Sequence, residues 1–444
     1  MSTQGAQLQT QQPELAAQPA QWSLTTRIAF RLCFVYFGLF CLLTQVLGGL
    51  ILLPSVEIPD PSTLPPFRAI VLWTATHVFH LSQPVLYQTT GSGDRTYDWV
   101  LQFCILTVAV LATVVWSVLD RKRENYCGMY KWFRLFIRFC LAGQMLSYGW
   151  AKAVPVQMRF PSLYTLIEPY GNFSPMGVLW ASIGASPAYE IFAGCAEMLG
   201  GILLILPRTT MLGALICLAD MTQVFMLNMT YDVPVKLFSF HLILLSLFLL
   251  APDVKRLLDL FFFNRPVQPS PQFPLFATAR SNRIAVGAQI LFGVILMGMN
   301  AYGSRTLWYE YGGGSPKSAL YGIWNVEELV VDGQPRPPLM SDHDRWRRVI
   351  FDVPTRTAFQ EMDESLVRLG AAINTSDNTL KLTKNDDPNW KASFSYARPA
   401  PDRLVLEGEI DGHQEKMELQ LVDRAKFQLV SRGFHWIQEY PFNR

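Results

Sequence analysis

An apolar run of about twenty residues is long enough to cross a hydrocarbon core of about 30 Å as a helix. This 444-residue chain carries such runs at 28–53, 97–119, 133–153, 187–206, 209–229, 234–250 and 284–303. Half of the residues are hydrophobic and only 16% are charged, where a soluble domain has about a quarter charged. The expected fold is therefore an α-helical polytopic membrane bundle of about seven spans, occupying 25–304. A net charge of +2 is too small to indicate a nucleic-acid partner. The partner that composition implies is the lipid bilayer.

The segments between the runs set the expected topology. Residues 1–24 are rich in Gln, Ala and Pro and lack a basic stretch followed by an early apolar run, so they read as a disordered tail and not a signal peptide. After a Pro-rich segment at 54–66, residues 67–87 are apolar but interrupted by Arg68, His77, His80 and Pro84. That pattern fits an interfacial or re-entrant helix better than a span. Arg121, Lys122, Arg123, Lys131, Arg208, Lys255, Arg256, Arg265, Arg280 and Arg283 fall on one face of a seven-span bundle. The positive-inside rule makes that face cytoplasmic, with the tail inside and everything beyond position 303 outside the inner membrane.

Beyond position 304 the composition changes. Residues 305–320 contain three consecutive glycines followed by Ser315 and Pro316, a linker signature. Alternating runs follow at 322–331, 346–353, 357–363, 366–374, 379–384, 391–397, 403–410 and 416–422, with two short pieces, FQLV and FHWIQ, closing the chain. Asp411-Gly412 between two such runs is a type I′ hairpin signal. Short, evenly spaced strands without intervening helices predict a soluble all-β, meandering barrel over 321–444. Its opening Gly322-x-Trp324 resembles the start of a lipocalin-like barrel, where a tryptophan closes the floor.

Charge at membrane depth is costly and so marks candidate function. Lys152, Glu190, Glu197 and Asp220 are the candidates for proton exchange, with Tyr148, Arg159 and Lys236 as ligand-binding neighbours. Glu190 and Glu197 are seven apart and stack on one helical face, with Gly194 and Gly201 admitting a close neighbour. The sharper expectation is a polar pocket open to the outer face; the plainer one is ion pairs that hold the bundle together. His77 and His80 share a helical face and His241 enters from the same side. They read as hydrogen-bonding or ligand-binding groups more readily than as a metal site, because spacing fixes no acidic ligand. The seven cysteines lie in or beside apolar segments and form no CxxC pair, which argues against dithiol chemistry.

Two stretches within 138–250, RFCLAGQMLSYGWAKAVP and AGCAEMLGGILLILPRTTMLGALICLADM, resemble the DoxX family of small four-span membrane proteins. The resemblance places a DoxX-like four-helix core at about 130–252. It implies a component close to the quinone pool, with a quinone or lipid as ligand and a redox partner subunit. The succession of membrane bundle and outer β-rich domain also resembles vitamin-K-dependent carboxylases, in which a buried base acts on a reduced quinone; Lys152 would take that role. The alternative is a non-catalytic membrane scaffold or lipid binder whose outer β-domain recruits an apolar ligand or a partner.

Overall fold

A computed structural model describes residues 21–51, 59–384, 386–387 and 389–443. The expected tail lies outside the described residues as far as position 20, and the Pro-rich segment as far as position 58. The chain divides into two compact units, Met1–Tyr148 with Ala196–Asn300, and Gly149–Cys195 with Ala301–Arg444.

In the first unit and the helices that run out of it, six helices are long and apolar enough to cross a membrane. They are Leu24–Leu43, Thr96–Leu119, Pro187–Ile205, Pro207–Thr230, Lys236–Phe261 and Ala279–Glu310. The protein is thus a multi-pass membrane protein. The run expected as a span at 133–153 also forms a helix, Cys127–Ala153, but Lys131, Arg134, Arg138 and Lys152 keep it out of the apolar set. Its Ile137, Cys140, Leu141, Ala142 and Met145 are fully buried, so it is a central helix that meets protein on most sides. A helix shielded from lipid can carry arginine where a lipid-facing one cannot.

Three expectations need correction here. The first span stops at Leu43, where extended Thr44 breaks it before a short Gln45–Gly48 turn of helix. The break brings backbone against backbone: a Cβ on Gly143 would stand 2.9 Å from the Gly49 carbonyl oxygen. The 67–87 stretch forms a helix only over Pro65–His77. Thirteen residues reach about 20 Å, too short to cross. Finally, the linker expected at 305–320 begins later, because the Ala279–Glu310 helix runs through its first residues.

The C-terminal part of the second unit is a closed antiparallel barrel. Its strands are β1 (Gly322–Val331), β2 (Gln334–Pro335), β3 (Trp346–Val353), β4 (Arg356–Glu361), β5 (Leu366–Asn374), β6 (Thr379–Thr383), β7 (Lys391–Ala400), β8 (Arg403–Ile410) and β9 (His413–Leu421). Pairing runs from β1 to β3 and onward in sequence order to β9, which pairs back with β1. Two-residue β2 folds back on β1, leaving eight strands in the wall. Asp411 and Gly412 both have positive φ (49° and 90°), as a type I′ turn requires. Trp324 is fully buried and its indole N–H donates to the Leu320 carbonyl oxygen at 2.9 Å. The interior is filled by Phe351, Phe359, Phe394, Leu404, Leu406 and their neighbours, as expected for a barrel of this size. The closing FQLV is no strand; Gln428–Ser431 is a helical turn, and FHWIQ forms no strand either.

One face of the barrel wall is apolar outside as well as inside. Ile323, Ile350 and Ala358 point outward and are covered by Leu163, from the short Leu163–Ile167 helix. The Leu163 backbone N–H donates to the Asp352 carboxylate, which fastens that helix to β3.

Candidate functional site

The described residues of the helical unit enclose a polar cavity of about 230 Å³, and the glycine-rich loop at 91–99 builds one side of it. Gly91 takes a positive φ of 83°, and the Gly93 N–H donates to the Pro234 carbonyl oxygen at 2.7 Å. This places Asp94 at the start of the Lys236–Leu250 helix, where its carboxylate accepts the N–H groups of Lys236 (2.8 Å) and Leu237 (2.9 Å). A carboxylate on the first amides of a helix is stabilised by their unpaired N–H groups and by the helix dipole. Arg95 and Asp98 pair through two 2.8 Å bonds and cap the Thr96–Leu119 helix.

Into this frame project Asp60, Gln45, Gln102 and Tyr148. Burial and the neighbouring Asp98 raise the Asp60 carboxyl above the ordinary carboxylate range, against the pull of Arg95. The Gln45 amide donates to the Tyr148 hydroxyl at 3.3 Å. The cavity therefore joins a phenol, two amides and a carboxyl inclined to hold its proton. That set can hydrogen-bond a ring carbonyl or hydroxyl and exchange a proton with it.

Of the residues singled out from sequence, Tyr148 lines this cavity, whereas Lys236 and His241 stand beside it. The Lys236 ammonium lies 2.9 Å from Asp232 and 3.8 Å from Asp94. Buried His241 stacks on Phe40, with ring centroids 4.1 Å apart. Its Nδ1 lies 2.7 Å from the Leu237 carbonyl oxygen, which assigns the proton to Nδ1. Nε2 then accepts from the Tyr36 hydroxyl at 2.7 Å. Glu197 is buried and Asp220 half-buried, both on helices of this unit. Cys41 and Cys140 meet through their thiols in its core.

Lys152, Arg159 and Glu190 belong to the other unit. Glu190 is fully buried, and its Oε1 accepts the Met158 N–H at 2.9 Å. The Gln157 N–H and the Lys152 charge also act on it. Among the described residues its Oε2 has no hydrogen-bond partner. The two helices cross at Gly194, where a Cβ would stand 2.5 Å from the Gly149 carbonyl oxygen. Arg159 is exposed, its guanidinium over the Tyr311 ring.

The shared helical face expected of His77 and His80 does not form. The Pro65–His77 helix ends at the first histidine, and His80 turns the chain with a positive φ of 53°. His77 stacks on Trp73, and both histidines are exposed. Among the described residues no three His, Cys, Asp or Glu side chains gather as metal ligands would.

Asp60 and the 91–99 loop are the functional candidates that the sequence reading missed. The glycine-rich, acidic loop was visible, but its pairing with position 60 is a long-range contact. No family model matches the chain. No solved structure matches it. It is similar to a protein of Bacillus subtilis (strain 168) described as "Uncharacterized protein YwoB", with 33% identity over 129 residues, 29% of this chain and 79% of that protein. The chain belongs to the family of YwoB.

Proposed function

We propose that this is a DoxX-like membrane protein that holds the head of a quinone in the polar cavity of its helical unit, as a quinone-linked redox component. The observation that carries the reading is the meeting of Tyr148, Gln45, Gln102 and Asp60 around about 230 Å³. This volume suits a single ring, and the donors suit its oxygens. Tyr148 and the amides orient the ring, and Asp60 exchanges the proton. Electrons come from a redox partner subunit, since the chain carries no haem, flavin or iron–sulfur motif. Buried Glu190 and Lys152 offer a second polar position in the other unit. The basic loops support a cytoplasmic N-terminus. With seven crossings, counting the Cys127–Ala153 helix, this reading has the barrel outside the inner membrane.

Mass spectrometry of organic extracts from detergent-purified protein tests this, with wild type beside Tyr148→Phe, Asp60→Asn and Lys152→Ala. Quinone retained by wild type and reduced about tenfold in the first two variants supports the cavity; loss in Lys152→Ala alone moves the site to Glu190. Bulk phospholipid alone in every sample rejects the quinone. The second reading, a non-catalytic scaffold, is favoured by the structural use of Asp94, Asp98, Lys236 and His241 as caps and internal bonds.

A further inference from the structure

A second and different cavity opens in the helical unit between the Cys127–Ala153 helix, the Pro207–Arg208 turn and the 270–275 segment. It is small, about 50 Å³, and its charged lining is Lys131, Arg134, Arg138, Arg208 and Asp253. The one carboxylate is already engaged: Asp253 accepts from Arg256 at 2.6 Å and from the Ser270 hydroxyl at 2.9 Å. Arg134 and Arg138 are each less than a tenth exposed. Arg138 donates through Nη2 to the Ile205 carbonyl oxygen and to Gln289, yet its buried Nε has no partner among the described residues. Lys131 and Arg208 are in no ion pair with a described residue. Four cations against one neutralised acid leave a site that is short of negative charge.

Leu135, Leu275 and Gln289 line both this cavity and an open apolar groove of about 760 Å³. Phe136, Phe139, Ile284 and Phe292 supply the groove's walls. One wall of the open groove is the Ala279–Glu310 helix, which is long and apolar enough to cross a membrane, so hydrocarbon is what the groove meets. A cationic cavity continuous with a hydrocarbon-lined groove matches one amphipathic occupant.

We propose that the basic cavity and the apolar groove together form a binding site for an anionic glycerophospholipid. The phosphate sits against Lys131, Arg208 and the Arg138 guanidinium, and one acyl chain lies along Phe139 and Phe292. Charge-assisted bonds from arginine and lysine recognise the phosphate, and basic pockets between membrane helices are suited to anionic headgroups. The site shares no lining residue with the polar cavity and does not rest on the quinone reading.

Native mass spectrometry of the full chain in detergent tests this, with added phosphatidylglycerol, phosphatidylcholine or inorganic phosphate. Wild type is expected to retain phosphatidylglycerol at least tenfold over phosphatidylcholine. Lys131→Gln with Arg208→Gln abolishes the preference, Lys131→Arg with Arg208→Lys preserves it, and Ala288→Trp, at an exposed groove position, blocks retention. Equal retention of the two lipids by wild type, or a preference unmoved by the double Gln variant, overturns the proposal. So does displacement of phosphatidylglycerol by equimolar inorganic phosphate, which would leave a bare anion site.

Discussion

The barrel and the helical unit bury their residues by opposite rules. In the barrel, Trp324, Val349, Phe351 and Phe359 are fully buried, and the outward apolar cluster of Ile323, Ile350 and Ala358 is covered by Leu163. In the helical unit Leu119 is 80% exposed and Phe192, on a helix that leaves it, 68%. The same unit buries Arg31 and Arg134. Water drives leucine inward in the first case, whereas lipid tails are as apolar as leucine in the second. An exposed apolar side chain is therefore informative in the barrel and uninformative in the bundle. A buried charge is informative in both.

The comparison can be broken or sharpened at four positions. The largest effect is expected for Trp324→Ala, which empties part of the barrel core and orphans the Leu320 carbonyl oxygen. Truncating a buried Trp costs about 3–5 kcal/mol; a shift under about 1 kcal/mol in denaturant unfolding of the full chain would show that Trp324 is not part of the stabilising core. Next comes Arg31→Ala in the bundle. Arg31 donates to the Tyr126 hydroxyl (2.9 Å), the Ser117 hydroxyl (2.8 Å) and the Asp120 carbonyl oxygen (3.0 Å). Losing a buried charged donor costs about 2–3 kcal/mol, and Arg31→Met, which keeps the stem, should recover only part of it. Full recovery by Met would mean that packing alone matters there.

A pH effect follows. Glu415 shares the inward face of β9 with Met417 and Leu419, and burial pushes its carboxyl up to about 7. The unfolded chain releases that proton near pH ~4.3. Because the folded barrel holds it more tightly, stability falls as pH rises from about 4.5 to about 7. Exposed His413, raised by Asp332, contributes stability that is also lost as pH rises through its folded value. Glu415→Gln should flatten the slope of unfolding midpoint against pH in that window, and an unchanged slope would remove Glu415 from the account. The smallest effect is expected at the exposed Arg403–Glu327 pair on the barrel wall. Glu327→Gln should stay within about 0.5 kcal/mol of wild type, as thermal unfolding would show.

Much of the fold was legible because its signals are local. The strand bounds at 322–331, 346–353, 366–374 and 403–410 coincide with β1, β3, β5 and β8, since period-two alternation and turn residues speak within a few positions. The break at Thr44 was not legible. It serves the close approach of Gly49 to Gly143, about a hundred residues away. The helix laid on Ile323 and Ile350 was hidden for the same reason.

By itself the sequence determined a membrane-embedded helical part followed by an all-β part. Those properties depend on run length, periodicity and turn chemistry, which are additive along the chain. Tertiary structure alone decided which polar groups meet. It brought Asp60 to the cavity of Tyr148, made Lys236 and His241 its structural neighbours, and placed Glu190 with Lys152 in one unit and Glu197 with Asp220 in the other. Spacing along one helix specifies a face, but a hydrogen bond needs a partner atom within about 3 Å. Only the folded backbone supplies that.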